Sequence, residues 1–351
     1  MSNRVIRTGH LKIGPGRPCF LIAEVGVNHN GDMTLARSLI DAARAAGADA
    51  VKFQTFKSEQ VIAAEAPKAA YQKRSTGADE SQLDMVRALE LPDRAFAELQ
   101  RHACDQGILF FSTPFDHHSV DLLATLEVPL FKIPSGEITN HPLLAHVARQ
   151  GKPVILSTGM ATLAEVDEAV RVLRQAGCED LALLQCTSNY PADPKSANLR
   201  AIPMMAGAFG VPVGYSDHTP GLESAFAAVA LGACIVEKHF TLDKALPGPD
   251  HTASITPDEM TALARGIRIV ESALGDGIKA PVPEEADTRA VARRSLYLKR
   301  DLAAGQLIGE ADLIALRPSG GIPPNLIQLV VGRTTKQALR QGGKVSWQDL
   351  A

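Results

Sequence analysis

Cysteine is sparse in this chain and never closely paired: Cys19, Cys104, Cys178, Cys186 and Cys234 are scattered, with no CxxC among them. That pattern argues against a zinc knuckle or a disulfide framework, fits a reducing compartment, and leaves the five thiols as small core residues. An excess of either charge is also missing. The 36 basic and 39 acidic residues are well mixed and leave a net charge of −3, so no long-range field recruits nucleic acid or an anionic membrane. Any anion has to be held by a local pocket. No apolar run approaches the ~18 residues of a membrane span, and the opening MSNRVIRTGHLKIGPG has no apolar leader core, so the expectation is a soluble, cytoplasmic protein. A glycine-rich GxGxxG phosphate loop is absent as well.

What is present is periodicity. With 45% hydrophobic and 21% charged residues, 351 residues can bury a large core, and a chain above roughly 300 residues favours one big domain plus a smaller one. Eight short apolar runs alternate with amphipathic helical stretches: FLIAEVG (20–26), ADAVKFQTF (48–56), ILFFSTPFD (108–116), PLFKIPSGE (129–137), PVILSTGM (153–160), LALLQCTSNYP (181–191), VPVGYSDHTP (211–220) and ACIVEKHFTL (233–242). Helices are expected at 34–47, 162–177, 221–232 and 257–275. Eight parallel β/α units in this length predict an α/β fold, a (β/α)8 TIM barrel, over 1–280; a doubly wound open sheet is the competing fold. A long insertion (57–91) carrying Tyr71, Gln72 and Lys73 reads as a lid or substrate wall, or else as a surface excursion. A Pro- and acid-rich linker (281–290) leads to a small β-rich C-terminal domain (291–351), near the size at which independent stability is marginal.

In a barrel the C-terminal strand ends form the active face. Every one of the eight ends carries polar residues: Glu24; Lys52; Ser112 and Thr113; Lys132 and Ser135; Ser157 and Thr158; Ser188 and Tyr190; Ser216 to His218; Glu237 to His239. Three lysines, two glutamates, two histidines and several hydroxyls are costly to bury together without an anionic ligand and a cation. His218 and His239 close neighbouring strands, so their imidazoles can meet at one point and hold a catalytic divalent metal; the alternative is a pair of hydrogen-bonded core residues. Lys52, Lys132, Ser135, Thr113 and Ser157 can clamp a small ligand bearing phosphate and carboxylate. His117, His118, His141 and His146 are left as surface residues.

The segments IAEVGVNHNGD, VKFQTF, FFSTPFD, FKIPSGEITN, ILSTGMAT, GYSDHTPG, EKHFTLD and GPDH, in this order from about residue 18, resemble the bacterial sialic acid synthase family, N-acetylneuraminate synthase and its nonulosonate relatives. ARRSLYLKRDLAAG and LRPSGGI resemble that family's C-terminal antifreeze-like (SAF) domain. The resemblance implies condensation of phosphoenolpyruvate with an N-acetylated hexosamine aldehyde, releasing phosphate with the help of a divalent metal, typically Mn2+, with Mg2+ or Co2+ as options. It assigns His218 and His239 to the metal and Lys52, Thr113, Lys132, Ser135, Ser157 and Ser216 to phosphoenolpyruvate. It gives Glu24, Tyr190, Glu237 and Asp250 to the acceptor sugar, with Tyr71 and Gln72 of the insertion as further acceptor candidates. Glu24, Glu237, Lys52 and Lys132 are the expected catalytic groups. The family also implies a domain-swapped homodimer in which Arg317 reaches the other subunit's acceptor. Ser188 and the RPSGGI turn depart from the usual forms near that acceptor, and GPDH (248–251) resembles the neuraminate and legionaminate branches. N-acetylmannosamine is therefore the first expectation for the acceptor and 2,4-diacetamido-2,4,6-trideoxymannose, the N,N'-diacetyllegionaminate precursor, the alternative. Two other classes stay open: a Schiff-base aldolase or lyase using Lys52, Lys132 or Lys238, and a non-catalytic carbohydrate-binding protein.

Overall fold

The computed structural model describes residues 5–8, 11–68 and 81–351. A short antiparallel hairpin, β1 (Ile6–Thr8) with β2 (Leu11–Ile13), precedes eight parallel strands. These are β3 (Phe20–Gly26), β4 (Ala50–Thr55), β5 (Leu109–Pro114), β6 (Phe131–Ile133), β7 (Val154–Ser157), β8 (Leu181–Cys186), β9 (Val213–Asp217) and β10 (Ile235–His239). Their order, β5-β4-β3-β10-β9-β8-β7-β6, brings the last parallel strand beside the first and leaves the hydrogen-bonded ladder open only between β5 and β6. The expected (β/α)8 barrel is thus present, nearly closed, rather than an open doubly wound sheet. All eight strands fall inside the predicted runs; β3 matches its run and the other seven are shorter, because the residues at several run ends belong to the flanking loops.

Several helices start where a side-chain oxygen can accept from the unpaired N–H groups of the first turn. Asp32 caps Met33–Ala45 through Thr34 N and Leu35 N, while Thr162 with Glu165 and Thr256 with Glu259 form reciprocal capping boxes for Leu163–Gln175 and Pro257–Leu274. Strand alternation then sorts two cores. Outward residues such as Leu21, Ala23 and Val25 pack on helix residues Leu39, Ile40 and Ala43. Inward residues Ile22, Ala50, Phe111, Ile155, Leu184 and Ile235 fill the barrel together with Ile6 and Ile13, so the hairpin adds an apolar plug to the interior core. The ends of the insertion are pinned by Glu90, which accepts from Ser58 N at 2.9 Å and Ser58 Oγ at 2.7 Å.

Residues 276–351 form a second compact unit. An exposed helix, Ala286–Ala292, begins within the stretch expected to be a linker (281–290) and runs two residues beyond it. Regular strand is limited to β11 (Ser295–Leu298) paired antiparallel with β12 (Leu313–Leu316), supplemented by single bridges such as Leu302 with Leu339. Leu296, Leu298, Leu302, Ile308, Ile322, Val330, Val345 and Leu350 give this unit its own apolar core. Arg317 is exposed in the loop after β12.

Candidate active site

At the C-terminal strand ends lies a cavity of about 440 Å³. Its wall includes Glu24, Lys52, Thr113, Lys132, Ser135, Ser157, Ser188, Tyr190, Ser216, His218, Glu237, His239 and Asp250, every described barrel residue assigned to the site from sequence. Tyr71 and Gln72 lie outside the described residues. Four of the polar strand-end residues, Ser112, Thr158, Asp217 and Lys238, do not line the cavity. The expectation that three lysines converge there is corrected to two. In a strand successive side chains face opposite ways, so when Glu237 and His239 point inward, Lys238 points out. It is fully buried there, 2.7 Å from Asp217 Oδ2, and also donates to the Thr219 carbonyl at 2.8 Å.

Inside the cavity the two lysines share two carboxylates. Lys52 Nζ lies 2.5 Å from Glu24 Oε2 and 3.8 Å from Glu237 Oε2, and donates to Thr113 Oγ1 at 3.0 Å. Lys132 Nζ lies 3.7 Å from Glu237 Oε1 and donates to Ser157 Oγ at 2.7 Å. Ser216 Oγ donates to Glu237 Oε1 at 3.1 Å and Gln54 Nε2 to Glu24 Oε1 at 3.0 Å. Burial raises the Glu24 carboxyl above its ordinary range against the pull of Lys52, whereas at Glu237 the opposing burial is outweighed by Lys132 and Lys52, which hold it low. Burial likewise lowers the Lys132 ammonium. Between these four groups the charges are close but incompletely bonded: Glu237 Oε2 has no hydrogen-bond partner among the described residues.

The two imidazoles meet as expected, with ring centroids 5.4 Å apart and the Tyr190 ring 4.2 Å from His218 and 5.4 Å from His239. His218 Nδ1 sits 2.9 Å from the Thr187 carbonyl, which can only accept, so a proton is on Nδ1 and Nε2 is the nitrogen left for a cation; against burial, Cys186 and the Thr187 carbonyl raise this imidazole above its ordinary value. His239 Nδ1 is buried without a hydrogen-bond partner among the described residues, 3.7 Å from Asp250 Oδ2. Burial drives His239 well below its ordinary value, keeping it neutral, the form that ligates metal. The donor set therefore fits a divalent cation with two protein nitrogens, although no group of three or more His, Cys, Asp or Glu side chains among the described residues could hold a metal ion unaided.

Two contributors were missed from sequence. Gln54 lies two residues beyond Lys52 and therefore on the same strand face, a signal that period-two counting contains. Cys186, read as core, faces the cavity 3.9 Å from His218 Nδ1, and Cys104 is exposed; the other three thiols are buried. Gly159 makes close approach possible: a Cβ there would lie 2.3 Å from Ser188 Oγ and 2.8 Å from Ser135 Oγ, while its own N–H donates to Ser135 Oγ at 2.9 Å. Of the histidines left at the surface, His118 and His146 pair with Asp93 and Asp121.

Comparison with known proteins agrees with this geometry. The NeuB family model matches residues 39–279 and the SAF domain model residues 293–351. The chain is 47% identical to the N,N'-diacetyllegionaminic acid synthase of Legionella pneumophila over 353 residues, covering 99% of both chains. It is 50% identical to the N,N'-diacetyllegionaminic acid synthase of Campylobacter jejuni over 304 residues, 86% of this chain and 91% of that one. The N-acetylneuraminic acid synthetase of Leptospira borgpetersenii superimposes with a TM-score of 0.73 at 36% identity, covering 82% of this chain and 95% of that one. A barrel with this lysine, glutamate and histidine floor, matched over most of its length, makes the chain an enzyme of the NeuB family, the synthases of nonulosonic acids, with a C-terminal SAF domain.

Proposed function

We propose that the barrel condenses phosphoenolpyruvate with the open-chain aldehyde of 2,4-diacetamido-2,4,6-trideoxymannose and water, giving N,N'-diacetyllegionaminate and inorganic phosphate. The observation that carries the reading is the pair Lys52 and Lys132, buried within 3.8 Å of Glu237 on one side of a cavity whose other side holds His218, His239 and Asp250. Carbon 3 of the enol attacks the aldehyde carbon, water adds at the cationic carbon 2, and the tetrahedral intermediate expels phosphate by C–O cleavage. Lys52 and Lys132, with Thr113, Ser135 and Ser157, hold the phosphate and carboxylate and offset their charge through the reaction. Glu24 and Glu237 orient the sugar and move protons, Glu24 being the more readily protonated because burial raises it and Glu237 the less so. His218 and His239 are the residues that would hold a divalent cation, Mn2+ in this reading, and such a cation would supply Lewis-acid polarisation of the aldehyde oxygen.

The sequence favours N-acetylmannosamine as acceptor; the relatives at 47% and 50% identity support the diacetamido sugar instead. So does the apolar side of the cavity, where Phe56, Val86, Leu89 and Phe115 face the polar floor. A 6-methyl group loses nothing against such a wall, whereas a hydroxyl left without a partner there costs about 1–3 kcal/mol. The resemblance also supports a homodimer in which Arg317 of one copy serves the acceptor of the other; removing residues after 285 then impairs acceptor use far more than phosphoenolpyruvate binding, and unchanged kinetics in that truncation would sink the idea. The chemistry itself is tested by chelation and by borohydride with pyruvate. Turnover that stops with chelator, returns with Mn2+, and leaves no reduced lysine adduct supports the synthase; a trapped adduct would support the Schiff-base lyase.

A further inference from the structure

The segment VNHNGD (27–32) directly follows the strand that carries Glu24, yet only Val27 of it reaches the cavity. Its two asparagines are committed to another loop. Asn28, wholly buried, donates from Nδ2 to Phe240 O at 2.9 Å and to Ser254 Oγ at 2.8 Å, and Ser254 Oγ donates to the Asp250 carbonyl at 2.7 Å. Asn30, at φ +51, donates from Nδ2 to Pro247 O at 2.8 Å and presents Oδ1 to His251 Nε2 at 3.2 Å. Because the amide nitrogen is taken by Pro247, the oxygen faces the imidazole and places its proton on Nε2. His251 is itself wholly buried, with Nδ1 2.7 Å from Thr241 Oγ1. Gly248 leaves room for this arrangement: at φ +150, a Cβ would stand 2.7 Å from His251 Cδ2 and 3.0 Å from Asn30 Oδ1. The segment 247–254 is thus held on both sides of Asp250, whose carboxylate then lies 3.7 Å from His239.

We propose that Asn28, Asn30 and His251 are positioning residues for the acceptor: a clasp between the loop after β3 and the loop after β10 that fixes where Asp250 stands in the cavity. The inference rests on the reading above that Asp250 touches the acceptor sugar. Neither asparagine nor His251 touches the reacting atoms, so the expected defect is selective. The residues given to phosphoenolpyruvate stand on or just after β4 to β7 and, for Ser216, on β9, so none of them belongs to the two loops that the clasp joins.

The test is steady-state kinetics of the full chain with Mn2+, varying each substrate separately, with thermal unfolding as a folding control. Asn30→Gly suits the left-handed backbone and removes only the side chain, so it raises the acceptor KM about tenfold while the phosphoenolpyruvate KM stays within about twofold. His251→Gln, which retains a donor at the Nε2 position, stays closer to the parent than His251→Leu. In the Asp250→Asn background, Asn30→Gly adds little further loss, because both act through one carboxylate. A parallel rise in both KM values, full additivity in the double variant, or equal damage from Gln and Leu overturns the clasp. Asp250→Asn alone separates the two levels. An unchanged acceptor KM there overturns the acceptor role of Asp250 and the clasp with it, whereas a raised one beside an unmoved Asn30→Gly overturns the clasp only.

Discussion

Two sets of buried charges sit one residue apart on the same strands and behave oppositely. On the outer face of β9 and β10, Lys238 and Asp217 form a closed unit: Lys238 bonds Asp217 and the Thr219 carbonyl, and Asp217 Oδ1 accepts from Thr219 N at 2.8 Å and Thr219 Oγ1 at 2.7 Å. On the inner face, Glu237 reaches its lysines only at 3.7 and 3.8 Å, and Glu237 Oε2 and His239 Nδ1 lack hydrogen-bond partners among the described residues. Both sets are buried, so burial alone does not distinguish them. Completeness does. A buried charge whose every polar atom finds a hydrogen-bond partner within the chain is part of the scaffold, whereas one with an atom left unmet is kept for something that arrives.

The comparison can be broken most sharply at Lys132 and His239. Lys132→Met is expected to lower kcat/KM by at least about a thousandfold while costing less in unfolding free energy than Lys238→Met, since Glu237 keeps Lys52 and Ser216 beside it. His239→Ala is expected to abolish metal-dependent turnover and to weaken Mn2+ binding measured by calorimetry, with the fold intact; full activity in that variant contradicts the metal role. Lys238→Met should do the reverse. It strands a buried carboxylate and costs about 3–5 kcal/mol in denaturant unfolding, and the double variant Lys238→Met with Asp217→Leu should recover most of that loss. If Lys238→Met is as stable as the parent, completeness is the wrong criterion.

A smaller effect concerns His29, buried against Phe53 at 6.0 Å with Nδ1 accepting from Gly31 N at 3.0 Å. Burial lowers its imidazole from 6.5 to about 4. Between those values the unfolded chain binds a proton that the folded chain refuses, so stability falls as pH drops from about 6.5 towards 4. The full span is worth about 3 kcal/mol. His29→Asn, whose short side chain can accept the same N–H, should flatten unfolding free energy over this pH range; an unaltered slope would remove His29 from the explanation.

Much of the fold was legible because the signals are local. Apolar runs with β-branched residues, spaced by amphipathic helical stretches, mark eight strands in the right places, and the strand ends then mark the cavity-lining polar groups from Glu24 to His239. What was not legible depends on direction and on partners distant in sequence. Lys238 and Asp217 were grouped with the site because a strand end was treated as a point, although period two already separates them from Glu237 and Ser216. The ladder is open between β5 and β6, and β6 has only three strand residues, a length hidden inside the run PLFKIPSGE. The link from Asn28 and Asn30 to Asp250 spans more than 200 positions and has no periodic signature.

The most direct test of the account is inorganic phosphate release from phosphoenolpyruvate with Mn2+, comparing 2,4-diacetamido-2,4,6-trideoxymannose with N-acetylmannosamine. Phosphate release that stops on chelation is expected with both acceptors, with a clearly higher kcat/KM for the diacetamido sugar; release no greater than background with either acceptor would contradict the synthase reading.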